Sequence, residues 1–203
     1  MFHQWAFLAS VPLGLALVIV AADARARIAL TAYAISLAAL FGVSALYHRI
    51  DWRSVAARRW IRRVDHSMIF VLIAGSYTPF AALVLHGPLA TVILISAWTG
   101  AALGVAFNLL WTDAPTWLRA ALCVALGWIA VAAIPQLGAA IGIAGLTLLG
   151  LGGVFYTAGG VVYALRRPDP APAVFGYHEV FHILVVVAAA LQYAVIACWI
   201  APT

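Results

Sequence analysis

Apolar residues occupy this chain in long blocks, separated by short polar stretches. The first block, Trp5–Ala22, is closed by Asp23, Arg25 and Arg27, and the second covers Ile28–Tyr47. A polar stretch with six arginines, His48–Asp65, follows. From His66 to Thr112 no Asp, Glu, Lys or Arg occurs. That run accommodates two bilayer-crossing helices of about 20 residues each, with His86-Gly87-Pro88 as the break. A second uncharged run, Ala120–Leu165, holds two more, with Pro135-Gln136 through Gly138 as the expected turn. The last block starts near Tyr177 and ends about Ile200. The pattern predicts an all-α membrane protein, a seven-transmembrane-helix bundle forming one domain over residues 1–203.

Composition excludes the competing classes. Of 203 residues, 67% are apolar or aromatic and 8% charged, with a mean hydropathy of +1.09. A soluble fold of this size cannot hide so much apolar surface, and a disordered chain has too little of it to bury. The first block lacks a basic start and a small-residue cleavage site, so it reads as a retained helix rather than a leader. Cys123 and Cys198 form no CxxC pair and lie in apolar runs.

Charge orients the bundle. All eleven basic residues are arginine against six acidic residues. With the N-terminus on one side, that side receives Arg49, Arg53, Arg58, Arg59, Arg62, Arg63, Arg119, Arg166 and Arg167, and the other receives Arg25 and Arg27. The excess predicts a cytoplasmic N-terminus and an outside C-terminus. Nucleic acid is not an expected partner, because the arginines sit between apolar runs. Arg58, Arg59, Arg62 and Arg63 recur at helical spacing and can grip anionic headgroups. Glycines concentrated in the sixth span are explained by close helix packing. The Ala- and Arg-rich composition with short connections points to a bacterial inner (plasma) membrane.

Ionisable groups inside a membrane are expensive and are functional candidates by default. His3, at the terminus, and His86, in a turn, read as plain surface residues. His66, following Asp65 at the expected start of the third helix, reads as a capping or supporting residue. His178 and His182 are four apart, so their imidazoles share one helix face, a spacing that serves zinc. His48 ends the second span and Asp65 opens the third, all at the same side. Three imidazoles with a position left for water describe a catalytic zinc site, with Asp65 holding the water. Ser44 lies four residues before His48 on the same face and can hydrogen-bond the site. His178-Glu179-Val180-Phe181-His182 also reads H-E-x-x-H, with Glu179 as general base of an intramembrane metalloprotease. That alternative requires a distant acidic ligand, for which Asp113 and Asp169 are the downstream candidates.

Three blocks carry a resemblance. Ser44-Ala45-Leu46-Tyr47-His48 precedes the Arg-rich stretch. Asp65-His66-Ser67-Met68-Ile69-Phe70 then runs into Ala74-Gly75-Ser76-Tyr77-Thr78-Pro79-Phe80, and His178-Glu179-Val180-Phe181-His182 lies in the last helix. Together they resemble the haemolysin III branch of the progestin and adipoQ receptor (adiponectin receptor-like) family. The resemblance implies seven helices, an inside N-terminus and zinc near the cytoplasmic face. It implies His48, His178 and His182 as ligands, with Asp65 and Ser44 beside the zinc-bound water. The family and the related alkaline ceramidases commonly add an acidic residue and an Asn near the first helix. Met1-Phe2-His3-Gln4 supplies no such pair.

The expected activity is zinc-dependent hydrolysis of lipid amides (ceramide-like) or related acyl lipids. Zinc brings the pKa of bound water to about 7. Asp65 or Glu179 takes the proton and returns it to the leaving amine. The expected partners are membrane lipids, with a lipid amide or fatty acid as ligand. The alternatives are a non-enzymatic regulator or sensor of membrane lipids with a structural zinc, and a cytolytic, haemolysin-like pore.

Overall fold

The computed structural model describes residues 2–111, 113–172 and 174–202. Among them the chain is helical and contains no strand beyond an isolated bridge between Ala171 and Phe175. The helices are α1 (Phe2–Val20), α2 (Ala24–Arg49), α3 (Val55–Pro79), α4 (Gly87–Leu110), α5 (Thr116–Gly127), α6 (Ile134–Leu165) and α7 (Tyr177–Val195). Wider turns extend α3 through Phe80–Val84 and α7 through Ile196–Ile200, and a tighter turn, Trp128–Ala133, joins α5 to α6.

Local chemistry sets the boundaries. Asp23 caps α2, its carboxylate accepting the Ala26 amide N–H at 2.7 Å. An anionic cap here satisfies a donor that would otherwise be orphaned and complements the helix dipole. Gly87, at φ 66°, and Pro88 start α4 after His86, at the break expected from the sequence.

The third helix differs from the sequence expectation. Ser54 accepts the Ala57 amide at 3.3 Å, and α3 begins at Val55, ten residues before Asp65. The Arg-rich stretch is therefore mostly helix, not connection. Ser54 is a good cap, and the Ala, Arg, Trp and Ile that follow are compatible with helix. Charge alone does not break a helix. Asp65 thus lies within α3, not at its start.

Six segments are long and apolar enough to cross a membrane, with Thr116–Leu165 counted as one of 50 residues. Their outward faces remain apolar. Ile143 is 86% exposed, Leu110 85% and Ile28 72%, where a soluble helix would carry polar groups. The chain is a multi-pass integral membrane protein.

The 50-residue segment is not straight. A continuous helix of that length spans about 75 Å. Here the Trp128 indole N–H donates to the Thr157 hydroxyl at 3.0 Å, and Gly160 lies beside Val124 and Ala120. The backbone leaves helical values at Gly142, with φ 63° and ψ −177°, where the limbs fold back. Pro135–Gly138, the expected turn, is helical instead. Pro135 occupies the first turn of α6, where its missing N–H removes no helical bond. The reversal needs positive φ, which glycine adopts freely.

Consecutive helices pack side by side, and α1 also meets α7, closing the arrangement into a ring. The Tyr193 hydroxyl on α7 donates to the Leu13 carbonyl on α1 at 3.0 Å. Between α2 and α3 the backbones approach closely. A Cβ at Gly75 would overlap the Ser36 hydroxyl. Large buried side chains, including Tyr33, Phe70 and Ile93, fill the interior. This ring brings the first turn of α1, the last turn of α2, the Asp65 region of α3 and the first turns of α7 to one end.

Candidate metal centre

At that end α2 delivers His48 in its last turn, just before the Ile50 amide closes the helix on the Leu46 carbonyl. The Trp52 indole donates to the Tyr47 carbonyl at 3.2 Å, turning the chain back toward α3. On the opposite side, α7 starts at a defined point. The Tyr177 amide donates to Asp169 Oδ1 and the Gly176 amide to Glu179 Oε2, each at 2.9 Å. Fixing the first turn of α7 fixes where His178 and His182 project.

His48, His178 and His182 converge. One ring nitrogen from each lies within 4.8 Å of the others, and His48 is exposed, His178 half-buried and His182 buried. His48 Nε2 and His178 Nε2 stand 3.2 Å apart. Two nitrogens bound to one tetrahedral zinc at about 2.0–2.1 Å are separated by roughly 3.3 Å. The His48–His178 pair already has this spacing, and modest ring rotation brings His182 to it. Without a shared cation, two neutral imidazole nitrogens at that distance can share only one proton. The donor set is therefore suited to a borderline cation such as zinc, and too poor in oxygen for calcium or magnesium.

Ser44, one turn before His48, is buried; its hydroxyl lies 2.7 Å from His3 Nδ1 and it interacts with the Asp65 side chain. Asp65 lies outside the trio of nitrogen donors.

His3 is the residue that sequence reasoning missed. It is not a surface group but 5% exposed, stacked face to face on His182 with ring centroids 3.8 Å apart and planes inclined by 6°. Phe41 meets it edge-on at 5.1 Å. His3 Nε2 is buried and has no hydrogen-bond partner. The available signal was position. Starting the first span at Trp5 left His3 outside it by two residues, whereas α1 begins at Phe2.

The remaining candidates are placed elsewhere. Glu179 holds the Gly176 amide and Asp169 the Tyr177 amide, so both carboxylates serve the start of α7. No carboxylate joins the three histidines in the metal-sized group among the described residues. This removes the acidic ligand that a metalloprotease arrangement requires. His66 lies outside the trio. Its Nδ1 lies 2.6 Å from the Arg62 carbonyl, so it donates there, and Nε2 accepts from the Tyr163 hydroxyl at 2.9 Å. His86 is exposed in its turn.

Fold and site together define a helical membrane protein with a trio of imidazoles at one face of the bundle. Comparison with known proteins places it more narrowly. The profile described as Haemolysin-III related matches residues 1–193. The chain belongs to this haemolysin III family, part of the progestin and adipoQ receptor family. It is 31% identical over 168 residues to the Hemolysin-3 homolog of Bacillus subtilis (strain 168), covering 81% of this chain and 78% of that protein. It is likewise 31% identical over 182 residues to Hemolysin-3 of Bacillus cereus, covering 89% and 78%. The monocyte to macrophage differentiation factor of Homo sapiens is 26% identical over 174 residues, covering 84% and 70%.

Proposed function

We propose that this protein is a zinc-dependent hydrolase of lipid amides or related acyl lipids in a bacterial inner membrane. The observation that carries the reading is the convergence of His48, His178 and His182, 130 residues apart in the chain, within ligand distance of one another. Their position at the arginine-rich end supports a site beside the inner headgroups. Folding back at Gly142 makes two spans of Thr116–Leu165, for seven in all. The positive-inside bias then puts the N-terminus in the cytoplasm and the C-terminus outside.

His48, His178 and His182 would hold the ion, which supplies Lewis acidity toward an acyl carbonyl and toward water. Asp65 accepts the proton released by the attacking water and returns it to the departing amine, while the water oxygen remains in the acid product. Ser44 orients Asp65 by donating to it, and His3 holds Ser44 in that pose. Glu179 is the weaker proton acceptor, since its carboxylate already receives the Gly176 amide.

A second reading rests on a different observation. A cavity of about 300 Å³ within the bundle is not lined by any of the three histidines. That separation favours a non-enzymatic lipid sensor in which the ion ties α2 to α7. One experiment distinguishes the two. Purified protein in lipid is assayed for metal content and for fatty-acid release from ceramide, with and without chelator. The hydrolase reading expects one zinc per chain and chelator-sensitive release. It also expects Asp65→Asn to keep its zinc and lose about 10²–10⁴-fold in rate, the usual contribution of a positioned acid–base group. Zinc without release supports the sensor, and the absence of zinc refutes both.

A further inference from the structure

The cavity of about 300 Å³ lies among α3, α4, α5, α6 and α7, walled by apolar residues such as Phe70, Leu137, Leu149 and Val185. Its character changes at one end, where His66, Asn108, Arg119 and Tyr163 enter the wall. A small recess opens there, lined by Arg62, Arg63, His66, Asn108 and Arg119, with no carboxylate among its lining residues. The Arg62 and Arg63 members belong to the stretch whose helical spacing suggested headgroup binding.

Asn108 makes this more than a surface charge cluster. It is 2% exposed, and neither its amide oxygen nor its amide nitrogen has a hydrogen-bond partner. Leaving buried polar groups without partners is costly. The Tyr156 hydroxyl, also in the cavity wall, is buried without a partner. The cavity therefore presents one apolar compartment and one end asking for both a hydrogen-bond acceptor and a donor, under a positive field.

We infer that this cavity binds a lysoglycerophospholipid, with the phosphate at Arg62, Arg63 and Arg119 and its single acyl chain in the apolar compartment. Arginine forks match phosphate oxygens. The Asn108 amide N–H donates to the phosphate, and its amide oxygen accepts from a glycerol hydroxyl. A fatty-acid carboxylate offers no donor for that oxygen. Asn108 lies in the last turn of α4 and Arg119 in the first turn of α5, at headgroup depth. Phe181 lines the cavity and packs on His182 with ring centroids 5.6 Å apart, separating the lipid site from the histidines. The inference does not depend on hydrolysis or on the metal.

The test is titration of the purified protein in neutral detergent with 1-oleoyl-lysophosphatidate, followed by native mass spectrometry and thermal stability. One lipid bound per chain is expected, with oleate, monooleoylglycerol and inorganic phosphate each binding at least about tenfold more weakly. Asn108→Leu and Arg119→Gln are each expected to weaken binding about tenfold or more. Asn108→Leu decides the matter if Arg119→Gln does not fold, since it removes both orphaned groups and leaves an apolar residue. Oleate binding equal to lysophosphatidate would overturn the phosphate assignment. Equal protection by inorganic phosphate would overturn the role of the cavity. Unchanged binding by Asn108→Leu would overturn the site itself.

Discussion

His3→Ala probes the least expected contact of the bundle. The substitution removes a ring stacked at 3.8 Å on His182 and the partner of Ser44 at 2.7 Å. A well-placed ring pair contributes about 0.5–1.5 kcal/mol beyond area burial. A hydrogen bond between neutral groups contributes about 0.5–1.5 kcal/mol net. Together they amount to about 1–3 kcal/mol, divided between the stability of the fold and the orientation of His182. Groups that orient metal-binding histidines typically change affinity about 10–100-fold when removed. Zinc affinity, measured by competition with a chromophoric chelator, is accordingly expected to fall about tenfold or more in His3→Ala. His3→Phe keeps a stacking ring but cannot bond Ser44, so its affinity should lie between Ala and wild type. Cobalt loading supplies a second readout, because altered ligand geometry shifts the visible absorption bands. A folded His3→Ala protein with unchanged zinc affinity and cobalt spectrum would refute the idea that His3 orients His182.

Other perturbations address the fold. Gly75→Val places a branched side chain against Ser36 where the α2 and α3 backbones meet, and should destabilise the protein by about 1–3 kcal/mol. A lower thermal midpoint in detergent would register it. Gly142→Ala forces an L side chain to φ 63° and ψ −177° in otherwise open space. It should cost about 1–3 kcal/mol through backbone strain alone, without altering zinc content. Topology can be read by impermeant thiol labelling in a Cys198→Ser background. Val174→Cys, 85% exposed in the α6–α7 connection, should react only from the cytoplasmic side, and His86→Cys only from outside. The reverse pattern would invert the bundle.

Much of this architecture is legible because the bilayer imposes long apolar runs whose interruptions are few. His86-Gly87-Pro88 and Asp23 are chemically unambiguous breaks, and helices start at or beside both. His178 and His182 declare their shared face through spacing, and His48 joins them because α2 is antiparallel to α3. Other features are hidden for physical reasons. The start of α3 is obscured because hydropathy treats arginines as loop, although a membrane-surface helix carries them readily once Ser54 caps it. The turn at Gly142 is masked by Pro135, a residue that ends helices in the middle but begins them at the first turn. His3 and Asn108 are invisible for a further reason. Single polar residues near span ends are ordinary, and only packing reveals that one stacks on His182 and the other lacks partners.

The trio also constrains when the centre can exist. One of its imidazoles, His48, emerges early in synthesis, while the other two belong to the final helix. A chain grows from its N-terminus, and its early segments fold first. Until Tyr177 and the residues after it have entered the bilayer, a nascent protein offers a divalent ion only one of the three donors. On the proposed reading, loading follows insertion of the last segment, ion retention reports that translation and assembly have run to completion, and a prematurely terminated product stays metal-free.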